Sequence, residues 1–200
     1  MQELVVATGN PGKLKEMQEY LIGLPWNLEL KPQELDIEET GTTFIANARL
    51  KASEVAKALG KWSIADDSGL AVDALNGAPG LYSARYGKTD KERIDRLLTE
   101  LGDTENRQAK FICAIAIANP EGKIVLETEG ICPGEISTTP KGDGGFGYDP
   151  IFYVPKQKQT FAQMSPETKS KFSHRGVAFA QLMPDLKKVI SSPKGYRSAY

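Results

Sequence analysis

The chain starts with a short apolar run that ends at a glycine-rich turn and is followed by a helical pattern. The run is Leu4 to Ala7, the turn is Thr8-Gly9-Asn10-Pro11-Gly12-Lys13, and the helical pattern covers Leu14 to Leu21. Glycines let the backbone approach a phosphate closely, and a helix N-terminus favours negative charge. The segment therefore predicts either an anion site, to which Lys13 adds a full charge, or a plain connecting turn. It differs from a P-loop, because two residues separate its glycines and Leu14 replaces the magnesium-binding Ser or Thr.

Length and charge limit the classes of protein to which this chain can belong. Its 200 residues, 40% of them hydrophobic, fit one compact domain over residues 1–200. With 25 basic and 26 acidic residues, it has no excess positive charge for a nucleic-acid backbone, whereas a small charged metabolite can still bind. It shows no signal-peptide pattern and no run of roughly 20 apolar residues. We therefore expect a cytoplasmic protein without nucleic-acid or membrane partners.

The two cysteines give no sign of metal or redox chemistry. Cys113 and Cys132 lie in apolar, strand-like runs without a CxxC motif or a Cys/His cluster. This pattern predicts buried reduced thiols rather than a disulfide or a zinc site.

Hydrophobic periodicity and turn residues predict alternating strands and helices, with no repeat or linker. The predicted strands are Leu4–Ala7, Trp26–Leu30, Trp62–Ala65, Ala109–Ala118, Lys123–Ile131, Gly134–Thr138 and Ile151–Val154. The predicted helices are Leu14–Leu21, a helix from a cap at Thr42 or Thr43 to Leu59, Thr89–Leu101, one starting at Ser165-Pro166, and one from Ser173 to Ile190. This order predicts an α/β domain with a mixed β-sheet flanked by helices. The tail from Ser191 to Tyr200 receives no assignment.

Two neighbouring carboxylates follow a predicted short strand. Asp66 and Asp67 come directly after Trp62–Ala65, and strand ends are where open α/β sheets bind ligands. Because neighbouring residues there point in different directions, one Asp could hold a metal or activate water while the other binds backbone groups. The pair suggests magnesium, which takes oxygen ligands. An Asx turn without further function is the alternative.

Polar residues before and within the long predicted helix could serve the same site. Glu38 and Glu39 offer further oxygen ligands, or simply form an acidic patch beside the helix. Asn47 and Lys51 are four residues apart and share one helix face, as would a phosphate-binding lysine and its hydrogen-bonding neighbour. A solvated helix surface explains that spacing equally well.

The last third of the chain contains an aromatic residue between glycines and a group of cationic residues. A planar ligand could stack on Phe146 in Gly144–Asp149, or Phe146 could plug the core beneath a loop. His174, the only histidine, and Arg175 lie at a predicted helix start. A cationic side chain is unfavourable there, which suggests a ligand. Lys169 could join this group.

Six short motifs follow one another along the chain. They are Thr8-Gly9-Asn10 with Lys13, Glu38-Glu39-Thr40-Gly41, Ala65-Asp66-Asp67-Ser68-Gly69, Ser83-Ala84-Arg85-Tyr86, Phe146-Gly147-Tyr148-Asp149 and Ser173-His174-Arg175. In this order and spacing, from Met1 to about Val189, they closely resemble the inosine/xanthosine triphosphate pyrophosphatases. The resemblance implies a mixed-sheet α/β fold with two lobes around a central substrate cleft. It also implies Mg²⁺ dependence, release of pyrophosphate from the non-standard nucleotides ITP, dITP and XTP, and a homodimer.

The same resemblance implies a function for each matching residue. The triphosphate would be held by Thr8, Gly9, Asn10, Pro11, Gly12, Lys13 and Lys51, with Ser68 as a further substrate contact. Asp67 would be the general base and a metal ligand, and Glu39 or Glu38 would be the second metal ligand. The nucleoside would be bound by Phe146, Gly147, Tyr148, Asp149, Lys169, His174 and Arg175. Arg85 would approach the phosphates or the partner subunit.

The chemistry of these side chains agrees with such a reaction. Phosphoryl transfer needs charge neutralisation and a carboxylate that deprotonates water, and attack at the α-phosphorus leaves pyrophosphate. Hypoxanthine and xanthine present a 6-keto acceptor beside an N1–H donor, so donors from His174 or Arg175 would favour them over adenine. Two other functions stay open. One is a pyrophosphatase for a different nucleotide, and the other is a sensor that binds a triphosphate without cleaving it.

Overall fold

The computed structural model describes residues 2–191, and this part of the chain contains seven strands in one sheet. The strands are β1 (Gln2–Val6), β2 (Trp26–Leu30), β3 (Trp62–Val72), β4 (Gln108–Ala118), β5 (Ile124–Ile136), β6 (Phe152–Val154) and β7 (Gln159–Thr160). The α-helices are α1 (Pro11–Leu21), α2 (Phe44–Leu59), α3 (Asp90–Leu101), α4 (Pro166–Phe172) and α5 (His174–Ser191). Of the tail left without an assignment, residues 192–200 lie outside the described part.

The sheet is mixed, as the sequence predicts. Its strand order is β2-β1-β3-β4-β5-β6-β7. β1 runs parallel to both β2 and β3, whereas β6 runs antiparallel to both β5 and β7. An open mixed sheet with helices between its strands confirms the α/β class.

The chain forms two compact units. Of the described residues, unit 1 contains 2–67, Ala114–Glu129 and 178–191, and unit 2 contains Ser68–Cys113 and Gly130–Val177. Small side chains of α2 pack in the core of unit 1 against those of the sheet: Ala48, Ala52, Val55 and Ala56 with Val5, Ala7, Ala65, Ala114, Ala116 and Ala118. The core of unit 2 is richer in aromatic rings, among them Phe111, Phe152 and Phe161. The substrate cleft implied by the resemblance stays a prediction.

Two of the predicted strand boundaries are wrong. The third strand does not end at Ala65, because β3 continues through Asp66-Asp67 to Val72. Both carboxylates have cationic partners, and the residues beyond them, Leu70 and Val72, are fully buried in the core of unit 2. β5 likewise replaces the two strands predicted on either side of Cys132-Pro133, because its alternation of buried and exposed residues continues through Pro133.

The structure bears on two of the composition-based expectations. Within residues 2–191, no helix has the length and apolar character needed to span a bilayer. Cys113 and Cys132 are both buried and not joined to each other in a disulfide. Burial raises the pKa of the Cys132 thiol to about 11, so this side chain stays protonated and unreactive at neutral pH.

The N-cap of α2 gives a first testable prediction. The Thr43 hydroxyl accepts the N–H of Ala46 at 3.2 Å, whereas Thr42, the alternative cap, is exposed and outside the helix. We expect Thr43→Ala to lower the free energy of unfolding by about 1 kcal/mol and the melting temperature by about 2–4 °C. Thr42→Ala, the matched control, should stay within about 0.5 kcal/mol. Thermal unfolding followed by circular dichroism measures both, and equal losses would contradict this assignment of the cap.

Candidate active site

The turn between β1 and α1 is shaped by the side chains of Thr8 and Asn10. The Thr8 hydroxyl accepts the N–H of Asn10 at 3.1 Å. The Asn10 side chain caps α1 by accepting the N–H groups of Gly12 at 2.9 Å and Lys13 at 3.2 Å. These two amides are therefore already engaged, and an anion that used them would have to displace the Asn10 oxygen.

The same turn keeps features that favour an anion. The first turn of α1 contains no acidic residue, so the helix itself supplies no negative charge at its positive end. Gly9 and Pro11 are exposed. A Cβ added at Gly9 would meet no atom within 4 Å, so there is open space beside the backbone at this position.

Asp66 and Asp67 lie inside β3 rather than at its end, which corrects the predicted turn and excludes an Asx turn at this position. The pairing of β1 with β3 ends at Val6 and Ile64, so both carboxylates lie just beyond the carboxyl end of β1. Successive strand residues point to opposite faces. Asp66 pairs with Lys13 at 3.2 Å, whereas Asp67 is oriented toward residues of α2.

Asp67 is held by Asn47 and Lys51, one turn apart on α2. Asn47 donates to Asp67 Oδ2 at 2.9 Å, and its own oxygen accepts the N–H of Gly41 at 2.7 Å. Lys51 Nζ lies 3.9 Å from Asp67 Oδ1 and 2.6 Å from Glu39 Oε1. One lysine thus joins two of the predicted metal ligands. Lys13, Glu39, Lys51, Asp66 and Asp67 are called the acid–lysine cluster below.

Burial and charge shift the pKa values in this cluster. Burial raises the pKa of Asp67 above its usual value, although Lys51, Lys13 and the hydrogen bond from Asn47 act in the opposite direction. Burial alone would lower the pKa of Lys51, but Asp66, Asp67 and Glu39 outweigh it and raise that pKa. Lys51 is therefore a firmly charged cation, and Asp67 is a stronger base than an exposed aspartate.

The two candidate metal ligands before α2 differ in placement. Glu39 is half-buried in contact with Lys51, whereas Glu38 is exposed. Of this pair, the structure brings only Glu39 to the side of Asp67. No group of three or more His, Cys, Asp and Glu side chains within residues 2–191 is arranged to hold a metal ion.

In unit 2, Asp149 and Lys169 fix the loop that carries Phe146. Asp149 Oδ2 accepts the backbone N–H of Phe146 at 2.8 Å and pairs with Lys169 Nζ at 2.7 Å. The lysine nitrogen lies 4.9 Å from the centroid of the half-buried Phe146 ring. Gly145 has a φ of +73°, and a Cβ there would collide with the Asp149 carboxylate, so only glycine fits.

The remaining predicted residues of this loop have structural contacts of their own. Gly147 donates its N–H to Asp90 at 2.7 Å, and the buried Tyr148 hydroxyl donates to the Ser83 carbonyl at 2.9 Å. Burial raises the pKa of Tyr148 far above its usual value. Arg85 is exposed at the end of the short 3₁₀ helix Gly80–Arg85.

His174 and Arg175 are buried at the start of α5. Ser173 caps this helix, because its hydroxyl accepts the N–H of Gly176 at 3.1 Å. Arg175 is 1% exposed and donates to Ser68 Oγ at 3.1 Å, and His174 is 5% exposed. We use the term aromatic–cationic cluster for Phe146, Asp149, Lys169, His174 and Arg175.

Two residues that contact these clusters go beyond the site residues that the sequence predicts. The sequence predicts Asn47 only as a neighbour of Lys51 on one helix face, and that four-residue spacing is the signal for its contact with Asp67. Phe111, whose ring stacks on His174 at 4.6 Å, gave no signal, because an apolar residue of a strand reads as ordinary core.

Fold and residues together define a class: an α/β protein that places lysines and carboxylates beyond the end of a parallel strand, an arrangement suited to an anionic ligand. The sequence model of the Ham1 family matches residues 4–185. The chain therefore belongs to the Ham1 family.

Individual relatives are similar to this chain over nearly its whole length. A dITP/XTP pyrophosphatase of a Nostoc species is 66% identical over 189 residues, covering 94% of this chain and 96% of the relative. A dITP/XTP pyrophosphatase of a Synechocystis species is 63% identical over 183 residues, covering 92% and 94%. The solved structure of a HAM1 protein from Coxiella burnetii is 46% identical, with a TM-score of 0.84 and coverage of 94% of this chain and 100% of that one.

Proposed function

We propose that this protein hydrolyses non-standard purine nucleoside triphosphates, namely dITP, ITP and XTP, to the nucleoside monophosphate and pyrophosphate. The observation that carries the proposal is the buried Asp67, held by Asn47 and Lys51 within the acid–lysine cluster. The names of relatives that are 63% and 66% identical support the substrate class. Removal of deaminated purines from the nucleotide pool would be the biological result.

The acid–lysine cluster would bind the triphosphate and activate water. Lys13 and Lys51 supply positive charge for the phosphates, and the open space beside Gly9 leaves room for them. Asp67 would accept a proton from the water that attacks the α-phosphorus, and its raised pKa suits this function. The P–O bond to the β-phosphate then breaks, and pyrophosphate leaves.

The oxygen donors of this cluster fit Mg²⁺, which we propose as the cofactor. Mg²⁺ is commonly held by one or two carboxylates together with substrate phosphates, so Glu39 and Asp67 fit an ion that arrives with the nucleotide. A bound Mg²⁺ would neutralise charge on the phosphates. Lys51 would then keep both carboxylates in place through its contacts with each.

The aromatic–cationic cluster would bind the purine. Phe146 offers a ring for stacking, and the Lys169–Asp149 pair fixes the loop around it. His174 and Arg175 would donate to the 6-keto oxygen of hypoxanthine or xanthine. Adenine presents an amino group there and would leave buried donors without acceptors, which is costly.

Assembly is proposed on the resemblance alone, whereas the location repeats the expectation drawn from the sequence pattern. We propose a homodimer acting in the cytoplasm, where the nucleotide pool would supply its substrates. Light scattering at several protein concentrations tests the homodimer, and a monomeric mass at every concentration would contradict it. Fractionation of cells expressing the protein tests the location.

A product analysis tests the proposed function. We expect pyrophosphate release from ITP, dITP and XTP in the presence of Mg²⁺, with ATP turned over at least roughly 100-fold less efficiently. Excess EDTA should abolish the reaction, and added Mg²⁺ should restore it. Comparable turnover of ATP would favour a pyrophosphatase for ordinary nucleotides. Tight ITP binding without cleavage would favour a sensor.

A further inference from the structure

Three near-parallel rings lie together at the start of α5 in unit 2, and one of them is the imidazole of His174. The Phe111 ring lies 4.6 Å from the His174 ring, with 13° between their planes. The Phe161 ring is 5.7 Å from Phe111 and 6.1 Å from His174, each pair being within 17° of parallel. All three residues are buried, with exposed fractions of 8% for Phe111, 5% for His174 and 1% for Phe161.

Phe111 is itself held in place, so it can restrain its neighbour. Its ring meets Phe152 in an edge-on contact at 4.7 Å and 67°. Phe152 is fully buried in the core of unit 2. Phe111 therefore transmits the rigidity of that core to the imidazole that stacks on it.

The backbone of His174 is also fixed, because Ser173 caps the helix at this point and accepts a further backbone bond from Val177. Only the side-chain torsions are left to orient the imidazole. Hydrogen-bond donors of an imidazole lie in the plane of the ring. A contact that fixes this plane consequently fixes the directions in which His174 can donate.

We propose that Phe111 is a positioning residue for purine recognition: by stacking on His174, it orients the imidazole donor toward a 6-keto base. This inference rests on the proposed function, because it concerns how the same site distinguishes ITP from ATP. Phe111 acts through His174 and not through the substrate.

The single histidine of the chain makes the contact directly measurable. In ¹H NMR, the imidazole C2–H gives one resonance, which the ring current of Phe111 displaces. We expect Phe111→Leu to shift this resonance, whereas Phe111→Tyr, which retains the ring, should leave it near its wild-type position. If Phe111→Leu does not fold, Phe111→Met replaces it, because methionine is similar to leucine in volume, adapts to irregular core space and has no ring.

Kinetics on the same variants test the consequence for recognition. We expect Phe111→Leu to lower the ITP-to-ATP ratio of kcat/KM by roughly 3- to 10-fold, the effect of one misaligned hydrogen bond. The KM for ITP should rise while kcat changes little. Phe111→Tyr should restore the ratio. Phe179→Leu is the matched control, because Phe179 is a buried ring that stacks on Tyr20 in unit 1.

Each outcome decides for or against the inference. A shifted resonance and a lowered ratio in Phe111→Leu, both absent from Phe179→Leu, support it. The inference is overturned if Phe111→Leu leaves the ITP-to-ATP ratio of kcat/KM or the imidazole C2–H resonance unchanged. It is also overturned if Phe179→Leu lowers that ratio by the same factor. A wild-type protein without preference for ITP would instead refute the proposed function, before any variant is compared.

Discussion

Asp67→Asn is expected to lower the turnover of ITP by roughly 10²- to 10⁴-fold, the usual contribution of a general base. Asparagine has nearly the same shape and can still accept the hydrogen bond that Asn47 donates to Asp67 Oδ2. It cannot accept a proton from water. The variant should therefore keep its fold and still bind ITP, which calorimetry measures separately from pyrophosphate release.

A matched change elsewhere separates this effect from a general loss of charge. Asp73 follows β3 directly and is exposed, so Asp73→Asn should leave turnover within about twofold of wild type. Full turnover in Asp67→Asn would reject Asp67 as the base. A complete loss of nucleotide binding would instead assign the residue to binding alone.

The secondary structure of this site could be predicted because it depends on local signals. Thr43 is a side-chain cap, and Gly60 adopts the left-handed conformation that ends α2. At α1 the predicted start is wrong by three residues, because the Asn10 cap and Pro11 begin the helix before Leu14. Each of these acts within a few residues of its own position. The prediction failed at Asp66-Asp67, because two carboxylates within a strand depend on partners that are distant in sequence.

The choice between Glu38 and Glu39 shows what sequence could not decide. Both are adjacent carboxylates in a segment without periodic structure, so no pattern tells which one faces inward. The structure distinguishes them through Lys51, twelve residues further along, which contacts Glu39. Such a contact depends on the packing of α2 against the sheet, and a side-chain direction cannot be read before the backbone is known.

Prediction of the aromatic–cationic cluster from the sequence is limited in the same way. The resemblance assigns both Lys169 and Asp149 to nucleoside binding, but no sequence pattern predicts that the two side chains pair with each other. The pair is separated by twenty residues and is almost fully buried. The ion pair between these two side chains therefore fixes the loop that carries Phe146. Removing only one partner of such a buried ion pair lowers the free energy of unfolding by about 3–5 kcal/mol.

Arg175→Met is expected to lower the preference for ITP over ATP by roughly 10- to 100-fold, the largest effect on selectivity that we predict. Methionine fills part of the same buried space but has no donor, so a 6-keto base loses its partner while adenine loses nothing. Ser68→Ala, which removes only the oxygen that Arg175 contacts at 3.1 Å, should have a smaller effect in the same direction. Lys171→Met is the control, because Lys171 is exposed and pairs with the exposed Glu167. Steady-state kinetics with both nucleotides measure the ratio. If it is unchanged in Arg175→Met, discrimination depends on other residues.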